Sequence, residues 1–452
     1  MRVEILSGNP AMMVMKNKLQ SRNFISNMQS FPQVELQNKV LLEGLLNRRW
    51  LLPSPESKIN EILLMEKKRP DKAVIPLFYF SSNSRPSLGH NLTEKRGKDR
   101  FFYVVRDDLL HPLINGNKAR KLDALLPLVE DHAMTDVVTC GGCQSAHTAA
   151  VAVSCAERGL RTHLLLRGEQ PEISTGYNLV STMYGRVTYI SRSVYAKREE
   201  MLLRHAESIA GASCSVIWLS DIQDKSFSTQ ISENLPTESG AKKVIMVNEG
   251  AGEAVGLLGL IRLVEHLSQD HIFGKSLPLK IVVDAGTGTT AVGLALGALC
   301  LQLSWEVTAV MLADTIEGYK RQEQHLISEF KRLYGLEYLT VNGVAGGIVQ
   351  WVQRIYPRKF GNVLEGEVEA CQQIARQTGI LVDPIYTLAA WEQATLLCQE
   401  EVERGVKVVM LHTGGTLGMF GLAQSFCSTS MLIASASFCC LNESCYNGRA
   451  AL

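Results

Sequence analysis

Three short stretches gather residues able to do chemistry. In DAGTGTT, residues 284–290, an apolar run ends in two glycines and three threonines where a helical pattern begins. Helix N-termini present free backbone N–H groups and the positive end of the dipole, so they hold anions. Gly286 and Gly288 let a phosphate approach the backbone, and the hydroxyls of Thr287, Thr289 and Thr290 add donors. A dinucleotide fingerprint would need G-x-G-x-x-G with an acid about 20 residues later, and a Walker loop would need Gly-Lys-Ser/Thr. Neither is present, so a monophosphate fits better, with a tight structural turn as the bland alternative. NGNKARK, residues 115–121, sets three cations at a helix start, where the dipole disfavours them. Arg120 and Lys121 read as surface, but Lys118, after Gly116-Asn117, reads as turned inward. A desolvated lysine near a phosphate cradle can form a Schiff base with an aldehyde cofactor. In CGGCQSAHT, residues 140–148, Cys140 and Cys143 have the spacing of a redox pair or half a zinc site. Zinc would need a second ligand pair, and none is in view. The other reading is a glycine turn opening a helix.

The elements that must position these residues alternate. FFYVV reads as a strand, ARKLDALLPLVEDH as a helix, TDVVTC as a buried strand and AAVAVSCAERG as a helix. THLLLRG, STGYNLVSTMYG and RVTYIS continue as strand, helix, strand, and the alternation resumes from KKVIMVNEG to KVVMLHTGG. Such a pattern predicts parallel-rich sheets covered by helices on both faces, an α/β fold with at least two sheets. The polar stretch between Leu52 and Phe101 reads as a surface excursion, and the Ser/Cys-rich segment after Leu422 has no period.

Bulk composition excludes several classes. The chain has 452 residues, 46% hydrophobic and 20% charged, with a formal net charge of +1 and no long basic block, so no nucleic-acid partner is expected. No apolar run reaches the roughly 18 residues of a membrane span. Eleven cysteines, four of them (Cys427, Cys439, Cys440, Cys445) near the C-terminus, do not make a secreted disulfide framework. The acidic pair Asp107-Asp108 more simply fixes a loop or pairs with Arg106 than binds metal, and no metal is expected. Residues 1–34 are basic, serine-bearing and acid-poor, the profile of a transit segment. Mitochondrion is the first choice of address, with plastid or cytoplasm as alternatives, and an extension without an address is the other reading.

Taken in order, RDDLLHPLINGNKARKL, TCGGCQSAHT, DAGTGTT, DPIY (383–386) and HTGG (412–415) resemble the pyridoxal-phosphate enzymes of the tryptophan-synthase-β fold. Within that group the chain resembles the branch of D-cysteine desulfhydrase and 1-aminocyclopropane-1-carboxylate (ACC) deaminase, over roughly Phe101 to Leu422. The resemblance implies a two-domain, three-layer α/β fold (fold type II), the cofactor pyridoxal 5'-phosphate and a homodimer. It places the large cofactor-binding domain at residues 35–119 and 233–422 with a polar insertion at about 54–100, a small α/β domain at 120–232, and a tail at 423–452. Lys118 matches the lysine that carries the cofactor, and Gly286, Thr287, Gly288, Thr289 and Thr290 match the phosphate loop. Asn117 and Asn178 fall where the family has asparagines near the cofactor. Ser145, Ala146 and His147 fall in the segment that receives the substrate carboxylate, Ser145 also as a catalytic candidate. Tyr386 matches a tyrosine close to the ring and Thr387 the position facing the pyridine nitrogen, while His412 reads as structural.

Three departures bear on the reaction. The deaminase branch resembles DP-x-YE, whose glutamate keeps the ring nitrogen protonated; here Thr387 is neutral, which elimination of a good leaving group tolerates better than cyclopropane opening. Phe360 stands where that branch has a tyrosine, and Ala146 replaces an asparagine of the family's QSN. The expectation is a carbon–sulfur lyase that converts D-cysteine to hydrogen sulfide, pyruvate and ammonia. The alternatives are ACC deaminase, another β-elimination or racemisation, and a cofactor-binding protein with weak turnover.

Overall fold

In a computed structural model, the structure describes residues 42–68, 74–82, 100–114, 116–211, 215–222, 242–334, 347–400 and 405–426. The chain enters through β1 (Ile59–Lys68), β2 (Val74–Ser82) and β3 (Arg100–Val105), then helix α1 (Asn117–Asp131). An alternating run follows: β4 (Asp136–Gly142), α2 (Ala146–Ala156), β5 (Arg161–Arg167), α3 (Gly176–Tyr184) and β6 (Arg186–Ile190). Helices α4 (Arg192–Tyr195) and α5 (Arg198–Ala210) lead to β7 (Ser215–Trp218), β8 (Lys243–Val247) and α6 (Leu257–Leu267). Next come β9 (Leu279–Ala285), α7 (Thr289–Cys300), β10 (Trp305–Met311), α8 (Ile316–Tyr334) and β11 (Val349–Gln353). The described chain closes with α9 (Glu367–Thr378), α10 (Thr387–Glu400), β12 (Lys407–Leu411) and α11 (Gly418–Phe426).

Two sheets result, a seven-stranded one in the order β11-β10-β9-β12-β3-β1-β2 and a five-stranded one in the order β6-β5-β4-β8-β7. Every pairing is parallel except those of β1 with β2 and β3. Alternate residues of the larger sheet serve two cores: Tyr103, Val105, Ile281 and Val283 face the core with α1, α6 and α7, while Phe102, Val104 and Val282 face α9 and α10. That period-2 division makes a three-layer body, because a strand buried on both faces must be apolar at every position. In the second core, Trp391 of α10 receives the edges of Phe78 and Phe102, with ring centroids 5.3 and 5.1 Å away. The α/β, parallel-rich expectation holds.

Four boundaries differ from expectation. The stretch at 54–100 is not wholly a surface insertion: Ile59, Ile62, Leu64 and Phe78 of β1 and β2 are core residues. The polar run of residues 83–99, with its Asn91-Leu92-Thr93 sequon, lies outside the described residues, as do the transit-like residues 1–34. The small sheet takes its interior strand β8 from residues 243–247, beyond the expected end at 232, because β8 pairs with both β4 and β7. Helix α1, expected to divide the domains at residue 119, is continuous and shares one core with α6. Helix α11 extends past Leu422 to Phe426, and residues 427–452 lie outside the described part.

Arg120 is also not a surface residue. It is fully buried, and its guanidinium donates to Asp107 Oδ2 and Oδ1 at 3.0 and 2.8 Å and to Ser57 Oγ at 2.9 Å. Asp107 further accepts from Ser57 and, through its carbonyl, from Gly116 N at 2.8 Å, so this one pair fixes the start of α1. Asp108 pairs instead with Arg106, at 2.7 and 2.8 Å, as a local loop clamp. Breaking a buried pair leaves an uncompensated charge and costs about 3–5 kcal/mol. Asp107→Asn is therefore expected to lower the thermal unfolding midpoint markedly; an unchanged midpoint in a calorimetric scan would show that the pair does not anchor α1.

Candidate active site

The carboxyl ends of β4, β8, β9 and β12 and the N-termini of α1, α2, α7 and α10 converge on one cavity of about 540 Å³. Crevices outside the carboxyl ends of parallel strands are where such sheets bind ligands. Lys118, Asn117, Ser145, Ala146, His147, Gly286, Thr287, Gly288, Thr290 and Tyr386 all line it, brought together from four separated stretches.

The position of Lys118 follows from a close approach. Gly116 has φ 64°, and a Cβ there would lie 1.7 Å from the carbonyl oxygen of Thr413, so only glycine lets α1 begin against the end of β12. Asn117 N then donates to Thr413 O at 3.2 Å, and Asn117 Nδ2 donates to Thr290 Oγ1 at 2.9 Å, tying the lysine's helix to the Gly/Thr loop. Lys118 is part-buried and lines the cavity. Desolvation pulls its ammonium down to about 8, a fall limited by the carboxylates of Asp284 and Glu249. Lys121, one turn on, is buried and donates to Gly250 O at 2.9 Å. Burial and the neighbouring Lys118 push it well below the ordinary lysine range. Lys121 lines the cavity too, and its i,i+3 spacing from Lys118 was the signal that could have placed it there.

The Gly/Thr loop has the shape of a phosphate cradle. Gly288, at φ 82°, precedes α7, and no side chain caps that helix start. A Cβ on Gly288 would come within 3.0 Å of Trp351 and 3.1 Å of Tyr319, whose rings stack at 4.7 Å. The Tyr319 hydroxyl lies 2.5 Å from the carbonyl of Ala285 and 2.9 Å from that of Gly286, so its one proton braces the turn from behind. The free N–H groups of α7 and the hydroxyls of Thr287 and Thr290 are left for an anion. Thr289 is fully buried off the lining, its hydroxyl 3.1 Å from that of Thr287. A lysine with a lowered affinity for its proton and a phosphate cradle in one cavity fit pyridoxal phosphate.

On the opposite wall, Ser145 caps α2, its Oγ accepting from Thr148 N at 3.3 Å. The tautomer of His147 is fixed by its neighbour. The single hydroxyl proton of Thr139 goes to Val247 O at 2.8 Å, so the 2.8 Å contact with His147 Nε2 has the histidine donating. Its Nδ1 is then unprotonated, and burial together with Lys118 and Lys121 holds the ring well below the usual histidine range. This segment offers a substrate carboxylate backbone N–H groups rather than side-chain charge. Cys140 is buried at the end of β4 with its thiol pushed up to about 12, and burial raises Cys143 as well, so neither is a ready thiolate. Among the described residues no group of three His, Cys, Asp or Glu could hold a metal ion.

Tyr386 faces the cavity beside Phe360, ring centroids 5.6 Å apart. Burial and the carboxylates of Asp383, Asp284 and Glu249 raise its hydroxyl well above the ordinary tyrosine value. Thr387 does not line the cavity. Its hydroxyl donates to Asp383 Oδ2 and accepts from Asp383 N, both at 2.8 Å, so a ring-facing role would require it to leave those bonds. Asn178 likewise lies off the lining, bonded to Tyr189 at 3.2 Å. His412, fully buried, accepts from Gly414 N at 3.3 Å and so donates through Nε2 to Leu381 O at 3.0 Å, a structural post. Asp284 and Asp383, which belong to the DAGTGTT and DPIY stretches, line the cavity as well, and burial lifts Asp284 to about 6.

No family model matches the chain. It is 54% identical over 382 residues to a rice (Oryza sativa subsp. japonica) protein provisionally named D-cysteine desulfhydrase 2, mitochondrial, covering 84% of this chain and 93% of that relative. It is 30% identical over 324 residues to a Pyrococcus abyssi protein provisionally named 1-aminocyclopropane-1-carboxylate deaminase, covering 70% and 85%. Among solved structures, an ACC deaminase homologue superposes with a TM-score of 0.62 at 21% identity, covering 86% of this chain and 98% of that one, and shows the same fold.

The geometry sets a pH dependence for the amine. Lys118 loses its charge as pH rises through about 8, well before an ordinary lysine at 10.5. Reductive trapping of a small aldehyde on the cofactor-free protein, read by peptide mass, is expected to rise at Lys118 with a midpoint near 8. A midpoint like that of surface lysines would show that the cavity does not hold the amine partly neutral.

Proposed function

Because the chain belongs to the D-cysteine desulfhydrase and ACC deaminase family, we propose that it eliminates hydrosulfide from D-cysteine, giving pyruvate and ammonia. The observation that carries this is the opening of a partly neutral Lys118 and the bare N-terminus of α7 into one cavity. Pyridoxal phosphate would be held by Lys118 at its aldehyde carbon and by Gly286, Thr287, Gly288 and Thr290 at its phosphate, with Asn117 bracing Thr290. Bound there, it supplies an electron sink for the pair left at the substrate's α-carbon. The free N–H groups at the start of α2 orient the carboxylate. With substrate bound, Lys118 Nζ would be the base that accepts the α-proton. The electron pair then expels the β-sulfur as hydrosulfide, and the enamine released adds water to give pyruvate and ammonia. Tyr386, kept protonated by its surroundings, stands as a donor on the same wall.

Phe360 supports elimination over ring opening, since the residue packed on Tyr386 carries no proton to give. The mitochondrial location in the rice relative's name extends to this chain as part of the same proposal, as does a homodimeric assembly.

The test is product analysis on the full chain reconstituted with pyridoxal phosphate and offered D-cysteine, L-cysteine and ACC separately. Hydrogen sulfide with pyruvate from D-cysteine is expected, and Lys118→Ala should abolish both. If 2-oxobutyrate forms from ACC in place of sulfide from D-cysteine, the protein is a deaminase. Absence of all products, with the cofactor bound, would leave only a binding function.

A further inference from the structure

Arg167 stands at the carboxyl end of β5 and lines the same cavity as Lys118, Ser145 and Tyr386. Its guanidinium lies over the Tyr195 ring, 5.3 Å from the centroid. It reaches toward the glycine turn, since a Cβ on Gly142 would lie 3.9 Å from its terminal nitrogen. Arg198 flanks the same ring at 5.9 Å, but that residue faces Glu249, with Nε 3.7 Å from the carboxylate. Among the described residues Arg167 makes no ion pair. A guanidinium fork stacked on an aromatic ring is pre-organised for a planar carboxylate and open to receive one.

The wall beside it lacks charge. Ala146 has no side-chain donor, the Ser145 hydroxyl accepts from Thr148 N and keeps one uncharged O–H to give, and His147 is a neutral ring whose Nε2–H goes to Thr139. This wall offers the neutral Ser145 hydroxyl and the backbone N–H groups of α2, and a helix end carries about half a unit of charge. An α-carboxylate carries a whole one. We propose that Arg167 reads the substrate's α-carboxylate and thereby selects amino acids over simple amines. This rests on the cavity being the amino-acid site described above, and its test is separable from that of the reaction.

The holoprotein and its Arg167→Gln and Arg167→Lys variants are titrated with D-cysteine and with cysteamine, which has the same amine and thiol but no carboxylate. Binding is followed by the absorbance of the bound cofactor and turnover by hydrogen sulfide. Arg167→Gln is expected to raise half-saturation for D-cysteine about tenfold to a hundredfold, the span of one charge-assisted hydrogen-bond pair. The effect falls on KM rather than kcat, and cysteamine binding stays unchanged. Arg167→Lys should fall between, keeping the charge without the fork. Equal weakening toward both ligands, or no weakening toward D-cysteine, overturns the assignment. Should the wild type bind D-cysteine without releasing sulfide, the desulfhydrase function fails while the two-ligand comparison still decides Arg167. A wild type that responds to neither ligand overturns both.

Discussion

An amine that must stay partly uncharged inside the protein sets the terms for everything around Lys118. The fall from 10.5 to about 8 corresponds to roughly 3 kcal/mol set against the charged form. Burial alone can depress a lysine much further. Asp284 and Glu249 hold it nearer neutrality, where amine and ammonium coexist and one group can both attack a carbonyl and return a proton. The balance extends outward. Lys121 is a second buried amine, lowered by its burial and by the charge of Lys118, and Glu253, lifted to about 7 by burial, faces Lys121 in turn. The sequence places cations where a helix dipole repels them, and the folded chain answers with buried carboxylates rather than with solvent.

Three helix N-termini aimed at one space then divide the labour. The start of α1 carries the lysine, that of α7 has no side-chain cap, and that of α2 is capped by Ser145 through Thr148 N. They can converge because the strands feeding them are parallel within each sheet, so their carboxyl ends lie on one side. The contact between Gly116 and Thr413 links the first of these starts to the far end of the described chain, and Asn117 links it to the second. The buried Asp107–Arg120 pair lies behind that junction, which is why a residue with no surface on the cavity governs where the amine sits.

The parts legible in the sequence were those with local causes. Period-2 and helical runs announced the alternating elements, and a Gly/Thr loop after an apolar strand announced an anion site. Other features were decided by partners distant in sequence. β1 and β2 looked like a polar excursion because one sits near the sheet edge and the other forms it, and their flanks are charged. Arg120 and Lys121 looked exposed because the groups that neutralise them, Asp107 and Gly250, come from other elements. Thr387 looked like a cofactor contact by its place in DPIYT, yet Asp383, four residues earlier, takes both of its hydrogen bonds. A short polar side chain at a helix start serves its own backbone turn first.

The same rule explains why two cysteines can stand in redox spacing without redox work. A Cβ on Gly141 would lie 2.5 Å from Ser145 Oγ, so that residue must be glycine if Ser145 is to cap α2. Gly142 lies where the chain leaves β4 for that cap, and Arg167 approaches across it. The interval between Cys140 and Cys143 is therefore fixed by the turn, not by sulfur. Cys140 belongs to the apolar core of the small sheet, and its raised thiol stays protonated at neutral pH. Cys143 lines the cavity, but burial raises it too, against the pull of Arg167. The pocket thus keeps its own thiols in the unreactive, protonated form and sets a guanidinium, Arg167, on its rim.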